Sequence, residues 1–183
     1  MAILLGENED EVLLALSSLN PVRGRFERIL LKNGAVSIID YAHTPDALKK
    51  VIETIKSMQV PGESLITVVG CGGNRDKAKR PVMAEVASRL STQVFLTSDN
   101  PRNEEPKTII QEMMDGVPLS QRRKVAIIEE REAAIREAIA MAKANDVVLV
   151  AGKGHETYQE IQGVKYPFDD RAKVLETQNP ILN

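Results

Sequence analysis

The chain has 183 residues, of which 43% are hydrophobic and 27% charged, and its formal net charge at pH 7 is -2. This balance predicts one globular domain of ordinary size. Without a basic excess, tryptophan or a long apolar run, we expect neither a nucleic-acid nor a membrane partner. Cys71 is the only cysteine and no signal-peptide pattern precedes it, so we expect a cytoplasmic protein without an internal disulfide.

The first predicted element is a capped amphipathic helix over residues 1–20. Asn8 and Glu11 have the spacing of a capping box, and leucines follow at helical intervals as far as Leu19. Pro21 and Gly24 then interrupt the pattern, as expected at a break between two units. We therefore divide the chain into residues 1–20 and a domain at residues 21–183.

The predicted domain begins with a hairpin and continues as alternating strands and helices. Apolar runs at 26–31 and 35–39 flank Asn33-Gly34, a dipeptide typical of tight hairpins. Predicted strands follow at 65–69, 94–96, 125–128 and 147–150, and predicted helices begin at Pro45, Pro81, Pro106, Glu130 and after Asp170. This alternation predicts a doubly wound α/β domain, with a mostly parallel sheet, helices on both faces and an antiparallel hairpin at one edge.

Four polar clusters follow predicted strands directly. They are Asp40-Tyr41-Ala42-His43, the segment from Gly70 to Arg75, Asp99-Asn100-Pro101-Arg102, and the segment from Gly152 to Glu156. Ligands of parallel α/β sheets bind beyond the carboxyl ends of the strands, so we expect the four clusters to form one binding site. Tight turns would explain the glycines and the Asn-Pro pair equally well, but the cations beside them favour a carboxylate or phosphate ligand.

Other kinds of site are less well supported by these motifs. Lys153 lies between two glycines, but the spacing is not that of a Walker motif, so we expect no independent ATP hydrolysis. His43 and His155 have no metal-type spacing, and we predict no metal site. Cys71 is expected to be a buried side chain rather than a nucleophile.

As a set, the motifs resemble those of the Mur ligases. The matching stretches occur in the order of that family at residues 21–27, 40–48, 70–77, 99–102 and 152–156, and they span most of the chain from residue 21 to residue 176. The resemblance implies a Rossmann-like C-terminal domain of a peptidoglycan-precursor ligase, which forms an amide through an acyl phosphate. It also implies that residues 1–20 are the last helix of a central ATPase domain.

The resemblance implies roles for individual residues. Arg25 and Asp40 would reach the nucleotide, and His43 would lie close to its phosphates. The incoming amino acid would be held by residues of the last three clusters: Arg75, Asp99, Asn100, Pro101, Arg102, Gly152 and Glu156. No residue is assigned a catalytic role.

The Asp-Asn-Pro-Arg form is associated with the branch that adds meso-diaminopimelate to UDP-MurNAc-L-Ala-D-Glu. Meso-diaminopimelate has a carboxylate and an ammonium at its far end, whereas L-lysine has only an ammonium. Arg75 and Arg102 suit that carboxylate, and Asp99 and Glu156 suit the ammonium. Because the two arginines would repel a lysine side chain, we expect diaminopimelate to be the substrate.

The sequence lacks the UDP-binding domain, the phosphate loop and the carbamylated lysine of the family. We therefore expect ATP and Mg²⁺ to be the cofactors of a longer ligase that also has N-terminal and central domains. These 183 residues alone are expected neither to bind a cofactor tightly nor to catalyse the ligase reaction. Three alternatives remain: a nicotinamide-dependent oxidoreductase, for which the glycine fingerprint is absent, a non-catalytic amino-acid-binding module, and an L-lysine-adding ligase of the same family. The folylpolyglutamate enzymes share the architecture, but we do not expect this pair of motifs in them.

Overall fold

The structure is a computed structural model, and it describes residues 22–178. The helix predicted for residues 1–20, with the boundary that follows it, lies outside the described residues. A six-stranded sheet organises the described part, in the order β1-β2-β6-β3-β4-β5. Its strands are β1 (Glu27–Leu30), β2 (Val36–Asp40), β3 (Leu65–Cys71), β4 (Gln93–Ser98), β5 (Val125–Ile127) and β6 (Val147–Ala151).

Five helices alternate with these strands in residues 22–178. They are α1 (Pro45–Met58), α2 (Lys79–Leu90), α3 (Pro106–Asp115), α4 (Arg131–Met141) and α5 (Asp170–Gln178), and a 3₁₀ turn covers Leu119–Lys124. None of the helices in this range is long and apolar enough to cross a membrane. The alternation confirms the predicted α/β class.

The sheet is parallel except at one edge, where β1 pairs with β2 in antiparallel register. This confirms the edge hairpin predicted from Asn33-Gly34. The strand order reverses between β3 and β6, because β4 and β5 extend from one side of β3 and β2 lies beyond β6. In doubly wound sheets such a reversal opens a crevice at the carboxyl ends of the two strands.

Two hydrophobic cores cover the two faces of the sheet. Helices α1, α2 and α3 pack in one core, for example through Leu48, Met83 and Ile110. Helices α4 and α5 pack in the other, for example through Ile135 and Val174. Successive residues of β3 alternate between the cores, as the two-residue period of a strand requires. A parallel sheet covered on both faces explains why the central strands are mostly apolar, with Ser37, Thr67 and Thr97 as buried polar exceptions.

The helix starts are largely where the sequence places them. The Thr44 hydroxyl accepts a hydrogen bond from Ala47 N at 3.3 Å, immediately before Pro45 opens α1. Glu130 caps α4 from outside the helix instead of being its first residue. The prediction that α2 begins at Pro81 is wrong, since the helix begins at Lys79, and Pro81 is accommodated in the first turn, where its missing N–H has no helical acceptor.

One element was not predicted from the sequence. Strands β7 (Tyr158–Ile161) and β8 (Val164–Pro167) form a second, two-stranded sheet joined through Gln162 and Gly163. Both turn residues have positive φ, 49° and 77°. Gln-Gly is a weaker hairpin signal than Asn-Gly, because glutamine adopts the left-handed conformation less readily than asparagine.

Candidate functional site

A cavity of about 410 Å³ opens at the carboxyl edge of the main sheet. The strand register brings the ends of β2, β6, β3 and β4 to this edge, since Asp40 lies beside Ala151 and Cys71 beside Ser98. All four predicted clusters contribute to the lining, which confirms that they meet at one rim. The lining residues are Tyr41, His43, Thr44, Gly70, Cys71, Gly72, Arg75, Asp76, Lys79, Asp99, Asn100, Arg102, Gly152 and Glu156.

The glycine-rich loop packs directly against the Asp-Asn-Pro-Arg turn. Gly73 N donates to Asn100 O at 2.8 Å, and a Cβ on Gly73 would lie 1.9 Å from Pro101 O. No side chain fits at that separation, so the glycine is required by the close approach of two backbone segments. Pro101 itself lines a second, smaller cavity of about 250 Å³ and not the principal one.

One wall of the principal cavity is acidic and is tied together by a buried lysine. Lys153 is 0% exposed, and its Nζ donates to Asp99 Oδ1 at 3.3 Å, Asn100 Oδ1 at 3.1 Å and Glu156 Oε2 at 3.3 Å. Asn100 Nδ2 also donates to Glu156 Oε2 at 2.8 Å. The sequence placed Lys153 in a motif but gave it no role, because nothing in the local pattern shows that its side chain turns inward.

Two arginines line the cavity next to Gly72, where a Cβ would lie 2.8 Å from Arg102 Nη1 and 3.6 Å from Arg75 Cγ, and they form its arginine wall. Arg102 has a positive φ of 52°, and its Nη1 donates to Gly73 O at 2.9 Å while its Nε lies 3.3 Å from Glu160 Oε2. Arg75 lines the cavity and makes no hydrogen bond or ion pair within residues 22–178. A fixed guanidinium beside an uncommitted one can bind a carboxylate from two directions.

A buried arginine network supports the glycine-rich loop from behind. Arg80 is 0% exposed and donates to Glu104, to Glu112 Oε2 at 2.6 Å and to Gly72 O at 3.2 Å. The hydrogen bond from Arg80, followed by that from Asn74 N, lowers the pKa of Glu104 from 4.5 to about 2. The network joins α2 to the loop before α3 and holds Gly72, which lines the cavity.

Cys71 lies at the end of β3 and is 3% exposed. Burial raises the pKa of its thiol to about 12, so the thiol is protonated at neutral pH. A nucleophilic cysteine requires the thiolate form. The structure therefore confirms the interpretation of Cys71 as a buried side chain.

The residues that the resemblance assigns to a nucleotide lie on the β2 side of the edge. The guanidinium of Arg25 stacks 4.7 Å from the ring centroid of Tyr41, which is flanked by His43 at 4.5 Å and His155 at 5.1 Å. His43 lines the cavity, whereas Arg25 and Asp40 do not. Asp40 is 8% exposed and accepts a hydrogen bond from Phe26 N at 2.8 Å, which orders the start of β1.

The unpredicted hairpin braces the acidic wall. Gln159 Nε2 donates to Asp99 O at 2.6 Å, and Glu160 N donates to Asn100 Oδ1 at 2.9 Å. These bonds fix the backbone and side chain of two residues that line the cavity.

Among residues 22–178 no group of three or more His, Cys, Asp or Glu side chains could hold a metal ion.

Known proteins resemble this chain in sequence and in structure. The profile of the family described as "Mur ligase, glutamate ligase domain" matches residues 24–154. The UDP-N-acetylmuramoyl-L-alanyl-D-glutamate--2,6-diaminopimelate ligase of Cytophaga hutchinsonii is 55% identical over 175 residues, which are 96% of this chain and 36% of that protein. The ligase of the same name from Aquifex aeolicus is 48% identical over 96% of this chain and 35% of that protein.

Solved structures extend the comparison. A UDP-N-acetylmuramoyl-L-alanyl-D-glutamate--2,6-diaminopimelate ligase superposes with a TM-score of 0.80 at 39% identity, over 97% of this chain and 36% of that one. The folylpolyglutamate synthase of Thermotoga maritima gives a TM-score of 0.57 at 21% identity, over 79% of this chain and 31% of that one, and shows a shared fold. The chain spans about a third of the length of the relatives it matches.

Proposed function

This chain belongs to the Mur ligase family, and we propose that it is the C-terminal domain of an ATP-dependent ligase that adds meso-diaminopimelate to UDP-MurNAc-L-Ala-D-Glu. In this proposal the domain binds the incoming amino acid and presents it to an acyl phosphate held by the other domains. The observation that carries the proposal is the charge of one cavity, whose lining combines the carboxylates of Asp99 and Glu156 with the guanidinium groups of Arg75 and Arg102.

The layout matches the far end of meso-diaminopimelate group by group. Asp99 and Glu156 offer carboxylate oxygens to the ammonium, and Arg75 and Arg102 offer guanidinium N–H groups to the carboxylate. Gly152 leaves room at the acidic wall, since a Cβ there would lie 3.2 Å from Asp99 Oδ2. With its far end held, the amino acid directs its other amino group out of the cavity, toward the bond that forms.

The same charges disfavour L-lysine. A lysine ammonium would satisfy the acidic wall but leave the Arg75 guanidinium without an anion and Arg102 with Glu160 alone. A site built for a polar group rejects a ligand that lacks it. Arg102 is already fixed by Gly73 O and Glu160, so it cannot fold away from the cavity without breaking those bonds. Discrimination in this proposal therefore comes from the arginine wall.

The nucleotide role proposed for Arg25, Asp40 and His43 is supported by their position beside the cavity. Arg25 and His43 present cationic and imidazole groups around Tyr41, and Lys79 Nζ is anchored to His43 O at 2.8 Å. Such groups suit phosphate oxygens. Mg²⁺ and most of the ATP contacts are proposed to belong to the N-terminal and central domains of the longer protein, because residues 22–178 present no metal-binding cluster.

The proposal is tested by titrating the 183-residue chain with meso-diaminopimelate in a calorimeter, with L-lysine in parallel. We expect heat with diaminopimelate only, and a loss of affinity of about tenfold or more in Arg102→Ala, since one charge-assisted bidentate contact disappears. Arg136→Ala is the matched control, because Arg136 is 61% exposed on α4 and, among the residues that the structure describes, pairs only with Glu132. That variant is expected to bind like the unmodified chain.

Each contrary result has a specific meaning. Preferential binding of L-lysine would refute the assignment of diaminopimelate while leaving the family membership in place. Equal affinity in Arg102→Ala would remove Arg102 from the recognition of the far carboxylate. The absence of heat with both amino acids would contradict a preformed cavity, and the same titration in a full-length ligase would then locate the missing contacts.

A further inference from the structure

Lys153 is the buried cation of the acidic wall, and the roles that the family resemblance implies leave it without a function. Its ammonium has three protons and three acceptors, on Asp99, Asn100 and Glu156. All three partners line the cavity, whereas Lys153 is 0% exposed and lies behind them. A saturated ammonium behind the surface cannot contact a ligand, so any effect it has must pass through its partners.

Each carboxylate partner gives only one of its oxygens to Lys153. Asp99 uses Oδ1 and Glu156 uses Oε2, and the second oxygen of each accepts no hydrogen bond from residues 22–178. The space beside Asp99 Oδ2 is kept open by Gly152. Lys153, joined at Glu156 Oε2 by Asn100 Nδ2, therefore holds one oxygen of each carboxylate and leaves the other without a donor among residues 22–178.

The backbone of the same loop explains how the lysine reaches this position. Gly152 and Gly154 have φ of 117° and 54°, values that favour glycine, so the residue between them can turn into the protein. Gly152 N donates to Asp40 O at 3.0 Å, and Glu156 N donates to Lys153 O at 3.0 Å. The turn thus places the Lys153 ammonium and the Glu156 carboxylate on the same side of the loop.

The charge balance of the wall also depends on Lys153. Two carboxylates and one ammonium leave a net charge of about one negative unit, which complements one ligand ammonium. The other charged groups around this wall act from outside it or are already bound. Arg131 of α4 is bound to Asp170 and also interacts electrostatically with Asp99 and Glu156, and Arg102 is bound to Glu160. The Cys71 thiol is protonated, and the Tyr158 ring lies 5.8 Å from Lys153 Nζ.

We propose that Lys153 is a positioning residue for substrate recognition: it holds one oxygen of Asp99 and one of Glu156 behind the cavity surface, and so directs the other oxygen of each at the ammonium of the amino acid. The proposal rests on the amino-acid-binding function proposed above and adds the residue that arranges the ammonium subsite. Lys153 stays in place when the amino acid binds.

The first test needs no ligand. Lys153→Met keeps the length of the side chain and removes its charge, so two carboxylates then share a partly buried wall, which favours uptake of a proton by one of them. We expect carbon-13 NMR of the carboxyl groups to show a protonation step near neutral pH that is absent from the unmodified chain and from Lys153→Arg. Identical carboxyl titrations in all three proteins would overturn the proposal.

The double variant Lys153→Met/Glu156→Gln covers the case in which the single variant does not fold. It removes one positive and one negative charge together, so no second carboxylate is left uncompensated, and we expect it to fold without the extra protonation step. A protonation step in the double variant equal to that of the single one would contradict the pairing of Lys153 with Glu156.

The second test is calorimetric, with meso-diaminopimelate between about pH 6 and pH 8. We expect the affinity of Lys153→Met to be about tenfold to hundredfold lower at the acidic end and to recover as the pH rises, while the unmodified chain varies little. A pH-independent affinity equal to that of the unmodified chain would refute a positioning role. The loss of the Lys153 ammonium signal in nitrogen-15 spectra on binding would show displacement by the ligand and overturn the proposal as well.

The two proposals fail in different ways. An unmodified chain that does not bind diaminopimelate counts against the proposed function, and the carboxyl titration still decides whether Lys153 controls the two carboxylates. A chain that binds diaminopimelate and keeps its pH profile in Lys153→Met counts against the role of Lys153 alone.

Discussion

Arg131 and Lys153 are both buried cations with carboxylate partners, but their networks end differently. Arg131 binds Asp170 with two hydrogen bonds, from Nε at 2.8 Å and from Nη2 at 2.7 Å, and both side chains are 0% exposed. A further bond from Nη2 reaches Ala151 O at 3.1 Å. Both oxygens of Asp170 are occupied, so this carboxylate is closed to any ligand, and the pair joins α4, α5 and the end of β6.

The Lys153 network uses the same chemistry but stays open on one side. Asp99 and Glu156 each keep one oxygen that accepts no hydrogen bond from the described residues, and both line the cavity. The Asp99 side chain is 10% exposed and that of Glu156 is 21% exposed, whereas Asp170 has no exposed surface. Burial of a cation is therefore shared by both networks, and only unoccupied oxygens on its partners distinguish the network that we propose binds a ligand.

The largest effect on stability is expected from the closed network. Arg131→Met leaves the Asp170 carboxylate buried without a counter-charge, and breaking such a pair costs about 3–5 kcal/mol. We expect urea denaturation to show that loss in the free energy of unfolding, with diaminopimelate affinity unchanged wherever the variant is folded. Arg131→Met/Asp170→Leu should recover much of the stability. A loss below about 1 kcal/mol in the single variant would show that the pair is not a structural brace.

The open side of the cavity should behave in the opposite way. Arg75 makes no hydrogen bond or ion pair within residues 22–178, so Arg75→Ala is expected to change the free energy of unfolding by less than about 0.5 kcal/mol. Its diaminopimelate affinity should fall by about tenfold, because a charge-assisted contact to the far carboxylate is lost. Denaturation and calorimetry on one preparation measure both quantities. A destabilised variant with normal affinity would reverse the assignment of Arg75 to the binding surface.

The network of Arg80 is expected to give a smaller effect on the free energy of unfolding than that of Arg131, and this effect depends on pH. The pKa of Glu104 is lowered from 4.5 to about 2 in the folded protein, first by its hydrogen bond with Arg80. A depressed pKa contributes stability that is complete above about pH 4.5 and is lost as the pH falls from there toward 2. We expect the advantage of the unmodified chain over Glu104→Gln to shrink through that window.

The matched control for this pH effect is Glu53→Gln, since the Glu53 side chain is 54% exposed and, within residues 22–178, pairs only with Lys49. Its difference from the unmodified chain should stay small and vary little over the same range, because exposed pairs are weak. Unfolding free energies measured at intervals from about pH 6 to pH 2 supply the comparison. A constant gap between the unmodified chain and Glu104→Gln would mean that Glu104 is not ionised in its network.

The sequence by itself determined the α/β class, the edge hairpin at Asn33-Gly34, the helix that Thr44 caps, and the meeting of four clusters at one edge. These features follow from local patterns. Apolar runs that alternate with amphipathic helices can bury their surfaces only as a covered parallel sheet, and the carboxyl ends of parallel strands necessarily share one edge. The four polar clusters that follow those strands therefore meet at that edge.

The tertiary structure alone decided which side chains of these clusters face the cavity and which brace it. Asn100 and Glu156 are 56 positions apart, Arg131 and Asp170 are 39 apart, and each contact depends on how separate loops or helices pack together. The inward direction of the Lys153 side chain and the hydrogen bonds from the β7–β8 hairpin to Asp99 and Asn100 likewise depend on tertiary packing. Long-range contacts of polar side chains leave no periodic trace in a sequence, because only the packing of the whole sheet brings their loops within hydrogen-bonding distance.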